Sequence, residues 1–142
     1  MQIGVDSSRA VENKRVFVVE SDEINRAVLQ FMLHDENETH ELGSLDEAYA
    51  KAAEWKPDLI LLGLGIVQNA GNGVLAELRT RIPGVKIAVI ADSATQPEAQ
   101  ACLKQGAQSI LAKPFTIENV RRKVDILLGR RTALSIPVQV TA

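Results

Sequence analysis

The stretch that most narrows what this chain can become is Pro57-Asp58-Leu59-Ile60-Leu61-Leu62-Gly63-Leu64-Gly65. Leu59 to Leu62 is apolar at every position, so a strand made of it has no side fit for water and must be covered on both faces. That is the signature of a central strand in a parallel sheet. Gly63 closes the run where strand gives way to loop. Covering both faces takes a layer of helices above and another below, and a chain of 142 residues is long enough to supply them around a single core.

The remaining periodicities fall into step with that strand. Arg15 to Glu20 holds the β-branched and aromatic run Val16-Phe17-Val18-Val19, a first strand. Ser21 is placed to cap the helix after it, with Asp22 and Glu23 in the first turn and Ile24, Ala27, Val28 and Phe31 as the apolar stripe, ending near His34. A weak strand is expected over residues 39–42. Ser44-Leu45-Asp46-Glu47 then opens a helix with Ala48, Ala52 and Trp55 that Pro57 terminates.

Leu64 to Gly73 reads as a flexible glycine- and asparagine-bearing loop before a helix carrying Val74, Leu75, Leu78 and Ile82, which Pro83-Gly84 ends. A fourth strand spans Val85 to Ala91. A helix with Pro97 in its first turn and Gly106 as its stop follows, with Cys102 on its apolar side. Ser109 to Ala112 is a fifth strand, and Thr116 caps a last helix with Ile117, Val120, Val124, Leu127 and Leu128 in one stripe, stopped by Gly129.

Alternating strands and helices with short connections predict a (βα)5, doubly wound, five-stranded parallel α/β sheet over residues 14–129. Residues 1–13 form an N-terminal extension, and 130–142 form a C-terminal tail too poor in apolar area to fold alone. A net charge of −2 with 24% charged residues gives no overall argument for nucleic acid or a membrane surface. One cysteine permits no internal disulfide, no apolar run is long enough to span a bilayer, and the opening lacks the pattern of a signal peptide; a cytoplasmic chain is expected.

In such a sheet the crevice lies at the carboxyl ends of the strands, which places Glu20, Ser21, Gly63, Ile90, Ala91 and Lys113 there. The order and spacing of VFVVESDEINRAVL, PDLILLG, KIAVIAD and GAQSILAKPF over residues 14–129 resemble the receiver domain of two-component response regulators, a flavodoxin-like fold. The resemblance implies an acidic pair after the first strand that holds Mg²⁺. It implies a phosphoacceptor aspartate ending the third strand, which takes a phosphoryl group from a phosphohistidine. A Ser or Thr ending the fourth strand and a lysine before a proline after the fifth would bind that group. Lys113-Pro114-Phe115 matches, and implies a cis Lys113-Pro114 bond.

Elsewhere the chain departs from the pattern. Glu20 stands for the first acid, Ser21 for the second, Gly63 for the phosphoacceptor and Ile90 for the hydroxyl residue, while Ile110 stands where the family commonly has a switching aromatic. Mg²⁺ wants about six oxygen ligands, so binding is expected to be weak or absent, and no other cofactor is expected. No substitute nucleophile presents itself. Asp58 lies about 16 Å back along the strand, Asp22 belongs to a helical first turn, and Asp92 reads as a turn residue.

His34 to Glu41 has metal-ligand residue types but falls in a turn at the far end of the sheet, and reads as solvated. Glu20 is long enough to reach Lys113 in an ion pair. A non-enzymatic pseudo-receiver is therefore expected, binding a protein partner or itself without phosphorylation. The expected surface is the face of the fourth helix, fifth strand and fifth helix: Lys104, Gln108, Ile110, Arg121, Arg122 and Asp125. Two other readings stand beside it: a working receiver of unusual residues, and a flavodoxin-like cofactor binder, against which the acidic Glu20-Ser21-Asp22-Glu23 argues.

Overall fold

Parallel pairing joins every strand in the computed structural model, which describes residues 14–71 and 73–130. The chain runs β1 (Arg15–Val19), α1 (Glu23–Leu33), β2 (Glu38–Leu42), α2 (Leu45–Ala52), β3 (Leu59–Gly63), α3 (Leu64–Ala70), α4 (Val74–Arg81), β4 (Lys86–Ala91), α5 (Pro97–Lys104), β5 (Ser109–Ala112) and α6 (Ile117–Leu127). The sheet order is β2-β1-β3-β4-β5, the doubly wound five-stranded arrangement read from the sequence. The expected extension at 1–13 and all of the expected tail except Arg130 lie outside the described residues.

The two sides of each strand feed two separate cores. Phe17, Val19, Ile60, Leu62, Ile87 and Val89 pack under α2 to α5 with Ala48, Leu75, Leu78, Ala99 and Cys102. Val16, Val18, Leu59, Leu61, Ala88 and Ile90 pack under α1 and α6 with Leu29, Leu33, Val120, Val124 and Leu127. Cys102 is core as expected, and burial pushes its thiol pKa up, away from reactivity.

Four local expectations change. Residues 64–70, expected as a flexible loop, form the short helix α3, because Leu64, Ile66 and Val67 are buried against the sheet and Gly71 at φ 89° ends it. Asp22, not Ser21, caps α1: its carboxylate accepts from the amides of Ile24 and Asn25 at 2.9 and 3.0 Å. Helix α2 ends at Ala52, so Trp55 lies beyond it, half-exposed, with the Arg15 guanidinium 5.2 Å from its ring. The stripe assigned to α1 is turned outward: Ile24 and Phe31 are 74% and 68% exposed, while Leu29 and Leu33 are fully buried. Likewise Ile117 at the start of α6 stays 43% exposed.

The turn and strand around residues 34–41 do more than meet water. Asp35 and Glu36 face Arg121, and Glu38 receives a two-pronged contact from Arg15, with Nε to Oε2 at 2.6 Å and Nη2 to Oε1 at 3.2 Å. The His40 ring also meets Glu38 at 2.8 Å. The hydrogen bond from Arg15, then that from His40, holds the Glu38 carboxyl at about 2, below its ordinary 4.5. A depressed carboxylate pKa contributes stability that is complete above the unfolded value and is lost as pH falls toward the folded one. The melting temperature should therefore fall more steeply between about pH 4.5 and 2 in the native protein than in Arg15→Met, followed by circular dichroism; parallel pH curves for the two would count against this role for the pair.

Candidate functional site

At the carboxyl ends of the strands a cavity of about 310 Å³ opens between the loops, lined by Glu20, Asp22, Gly65, Ile90, Asp92 and Lys113 among others. Glu20 enters from the end of β1, only 6% exposed. Its backbone is held on both sides: its N–H donates to Leu42 O at 3.0 Å, and Arg26 Nη1 donates to its carbonyl at 2.6 Å. The side chain then folds back over β3, where Oε2 accepts from the Asp22 N–H at 3.0 Å.

This fold-back decides what residue 63 can be. A Cβ on Gly63 would stand 2.7 Å from both Glu20 carboxylate oxygens, well inside any contact distance. The Gly63 backbone, at φ −62° and ψ 134°, suits any residue, so occupied space and not backbone strain favours glycine here. Glu20 and Gly63 are thus complementary: the longer acid from β1 fills the volume left by the absent side chain on β3.

Lys113 is not Glu20's partner. It pairs with Asp92 at 3.3 Å, in contact with solvent. Strand register explains the choice, since Ala91 lies opposite Ala112 and the next residues on the two strands are Asp92 and Lys113; the Lys113 N–H also donates to Ala91 O at 3.1 Å. The expected Glu20–Lys113 ion pair is therefore replaced, because Glu20 is turned toward β3 and the register brings Asp92 to the lysine. Ser21 is exposed. Ile90, opposite Gly63 in the ladder, is buried in the α1 and α6 core, and the Lys113-Pro114 bond is cis.

Each carboxylate in the cavity already has an occupation: Glu20 against Gly63 and the Asp22 amide, Asp22 on the α1 cap, and Asp92 on Lys113. Among the described residues no three His, Cys, Asp or Glu side chains converge as a metal site. The donor set is a poor fit to the Mg²⁺ that the resemblance implies, which wants about six oxygen ligands with one or two carboxylates among them, whereas each carboxylate here is already engaged. Asp58 lies at the other end, where its carboxylate accepts from Arg15 N–H at 2.8 Å.

The residues expected on a partner-facing surface differ in their exposure and contacts. Arg121 Nε donates to Met32 O at 2.9 Å and its guanidinium faces Asp35 and Glu36, so it clamps α6 to the end of α1. Gln108 accepts from Ile87 N–H at 2.8 Å, Asp125 pairs with Arg130 at 3.1 Å, and Ile110 is only 8% exposed. Lys104 is exposed, and Arg122 is half-buried with Nη2 donating to Asn119 Oδ1 at 2.9 Å. Arg121 finds its partners in the acidic turn after α1 and Gln108, though exposed, finds one at the start of β4, neither of which linear spacing shows.

A five-stranded, doubly wound parallel sheet with an acid after β1 and a Lys-cis-Pro after β5 defines a receiver-type domain. Residues 16–125 match the response regulator receiver domain family, and the chain belongs to it. It is 30% identical over 123 residues to the KDP operon transcriptional regulatory protein KdpE of Escherichia coli K12, covering 86% of this chain and 54% of that one, so it spans about half of that relative's length. A response regulator from Thermotoga maritima superposes with a TM-score of 0.74 at 19% identity, covering 82% of this chain and 98% of that one. The receiver domain of the sensor histidine kinase PA1611 of Pseudomonas aeruginosa, whose structure has a magnesium ion coordinated in its active site cleft, superposes with a TM-score of 0.68 at 24% identity, covering 82% of this chain and 98% of that one.

The Glu20–Gly63 packing has a measurable consequence. Gly63→Ala should cost about 1 kcal/mol, because the new methyl displaces a mobile carboxylate and breaks its hydrogen bond to Asp22. Glu20→Ala should abolish that cost, so a double-mutant cycle by urea denaturation should give a coupling of similar size. Additive effects would show that the two residues do not compete for the same space.

Proposed function

We propose that this chain is a receiver module of a two-component system that works without taking a phosphoryl group, as a protein-interaction domain held in one state. The observation that carries this reading is the Glu20 carboxylate lying in the volume where a side chain on residue 63 would begin. An aspartate there would meet a second carboxylate at its own Cβ, and no carboxylate is left over to bring a divalent cation to the pair. The hydroxyl and aromatic positions that would answer to a phosphoryl group are Ile90 and Ile110, 3% and 8% exposed. A buried isoleucine gains about 1.5 to 3 kcal/mol by staying in the core and has no hydrogen bond to exchange, which favours a single conformation. The cavity offers no nucleophile with a neighbouring base, which supports a binding rather than an enzymatic role.

The test is incubation of the chain with acetyl phosphate and Mg²⁺, or with a phosphorylated histidine kinase, read by intact mass and phosphate-affinity electrophoresis. The unmodified mass should persist. One acid-labile phosphoryl group per chain would overturn the proposal, and peptide mapping to Asp22 or Asp92 would identify the acceptor. Restoring aspartate at Gly63 should fail while Glu20 fills the space; Gly63→Asp with Glu20→Asp and Ser21→Asp is the combination that clears it and supplies two acids.

The partner-facing surface under this proposal is the face of α5, β5 and α6, with Lys104 and Arg122 as its basic side chains. A basic face suits an acidic partner or a complementary patch on a second copy. Lys104→Glu with Arg122→Glu should weaken association in a pull-down or sedimentation measurement with little change in melting temperature, because neither side chain holds the fold together across elements. Arg121→Glu should instead lower the melting temperature by several degrees, since it breaks the clamp on Met32 and faces Asp35 and Glu36 with like charge. Normal association of the first variant would move the interface elsewhere.

A further inference from the structure

One carboxylate at the carboxyl ends of the strands has no counter-charge. Glu20 is only 6% exposed, yet it accepts a single side-chain hydrogen bond, from the Asp22 N–H to Oε2, and its Oε1 accepts none among the described residues. No cationic side chain among them pairs with it. Lys113 is committed to Asp92 at 3.3 Å, and Arg26 to the Glu20 carbonyl at 2.6 Å and the Glu41 carboxylate at 3.6 Å. Taking a carboxylate out of water with no cation beside it is costly, and one hydrogen bond offsets only part of that cost.

Glu20 forms part of the wall of the cavity, whose volume of about 310 Å³ is at the lower end of small-molecule sites. That wall sets three carboxylates, Glu20, Asp22 and Asp92, against one ammonium, Lys113, a formal excess of two negative charges. Gln96 adds an acceptor of another kind to the same wall: its side-chain Oε1 is buried and takes no hydrogen bond. Leu64, Ile90 and Ala91, all buried, give the cavity an apolar side. A molecule suited to these surroundings carries a positive charge with N–H donors at one end and a short apolar body behind it.

We propose that the cavity binds a small organic ammonium ion, a short alkylamine, whose N–H groups donate to the Glu20 carboxylate while its alkyl part lies against Leu64 and Ile90. The proposal rests on the reading that this site takes no phosphoryl group, and goes beyond it by naming what the site takes instead. An ammonium suits this wall better than Mg²⁺ does. It carries a single charge and is satisfied by a few acceptors, whereas Mg²⁺ demands near-ideal octahedral oxygen geometry and gives up its waters reluctantly. An anion meets the reverse situation, since the excess of carboxylates repels it. Lys113 is the ligand's rival on the same wall: its own charge repels an incoming ammonium and its pairing with Asp92 cancels part of the attraction.

The test is a titration of the isotope-labelled full chain with n-butylamine hydrochloride at neutral pH and constant ionic strength, followed by the backbone amide shifts in nuclear magnetic resonance. No phosphoryl donor is present, so the outcome is independent of the mass measurement that tests phosphorylation. The amides of Glu20, Asp22, Gly65 and Asp92 should shift together and saturate in the millimolar range, as suits a ligand of so few atoms. Glu20→Gln keeps the shape and removes the charge, and should weaken binding about tenfold or more, the loss expected for a hydrogen bond to a charged group. Lys113→Met should instead tighten binding severalfold, a direction that loosening of the fold does not produce. Three results would overturn the proposal: shifts that grow without saturating, saturation by Mg²⁺ or by sodium butyrate but not by the amine, or amine binding that neither substitution alters.

Discussion

Strand β3 has water on neither face, and the rest of the molecule follows from that. Leu59 to Leu62 are fully buried, their alternate side chains entering the core under α2 to α5 on one side and the core under α1 and α6 on the other. A strand so placed must have hydrogen-bonded neighbours on both edges, here β1 and β4, and helices on both faces. The parallel arrangement then sends the end of every strand to the same side. That is how Glu20, Gly65, Asp92 and Lys113, distant along the chain, come to share one cavity.

Within the cavity, packing and chemistry are the same fact. The residue after β1 is one methylene longer than aspartate, and its carboxylate occupies the space over a residue that has no side chain. Once Glu20 is committed there and to the Asp22 amide, Lys113 turns to the acid that the ladder places beside it. The pair is open to solvent and adds little to stability, but it leaves neither charge free. The arrangement is internally consistent, and this is why the departures at Glu20 and Gly63 are better understood together, and with the retained Lys113, than one at a time.

The far end of the sheet shows how misleading local composition can be. A run of histidines and acids over residues 34–41 and a run of arginines at 121, 122 and 130 each invite a separate functional reading. The fold brings them together: Arg121 meets Met32, Asp35 and Glu36, Arg130 meets Glu36 and Asn37, and Arg15 meets Glu38. Much of each run serves the other as an intrachain partner, joining the last helix to the turn after the first.

Residue type and spacing within single segments were enough to place the five strands, five of the six helices, the parallel sheet, the caps at Ser44 and Thr116, the buried Cys102 and the absence of a carboxylate at position 63. Tertiary structure decided three things that such spacing leaves open. Helix α1 has apolar residues on two arcs, so its spacing fits either face, and only the presence of the sheet and α6 turned Leu29 and Leu33 inward and left Ile24 and Phe31 outside. Residues 64–70 became helix because three of them are buried against the sheet, a gain not visible in a stretch flanked by glycines. The partner of Lys113 was set by strand register, which aligns residues 92 and 113 across the ladder and cannot be read from either strand alone.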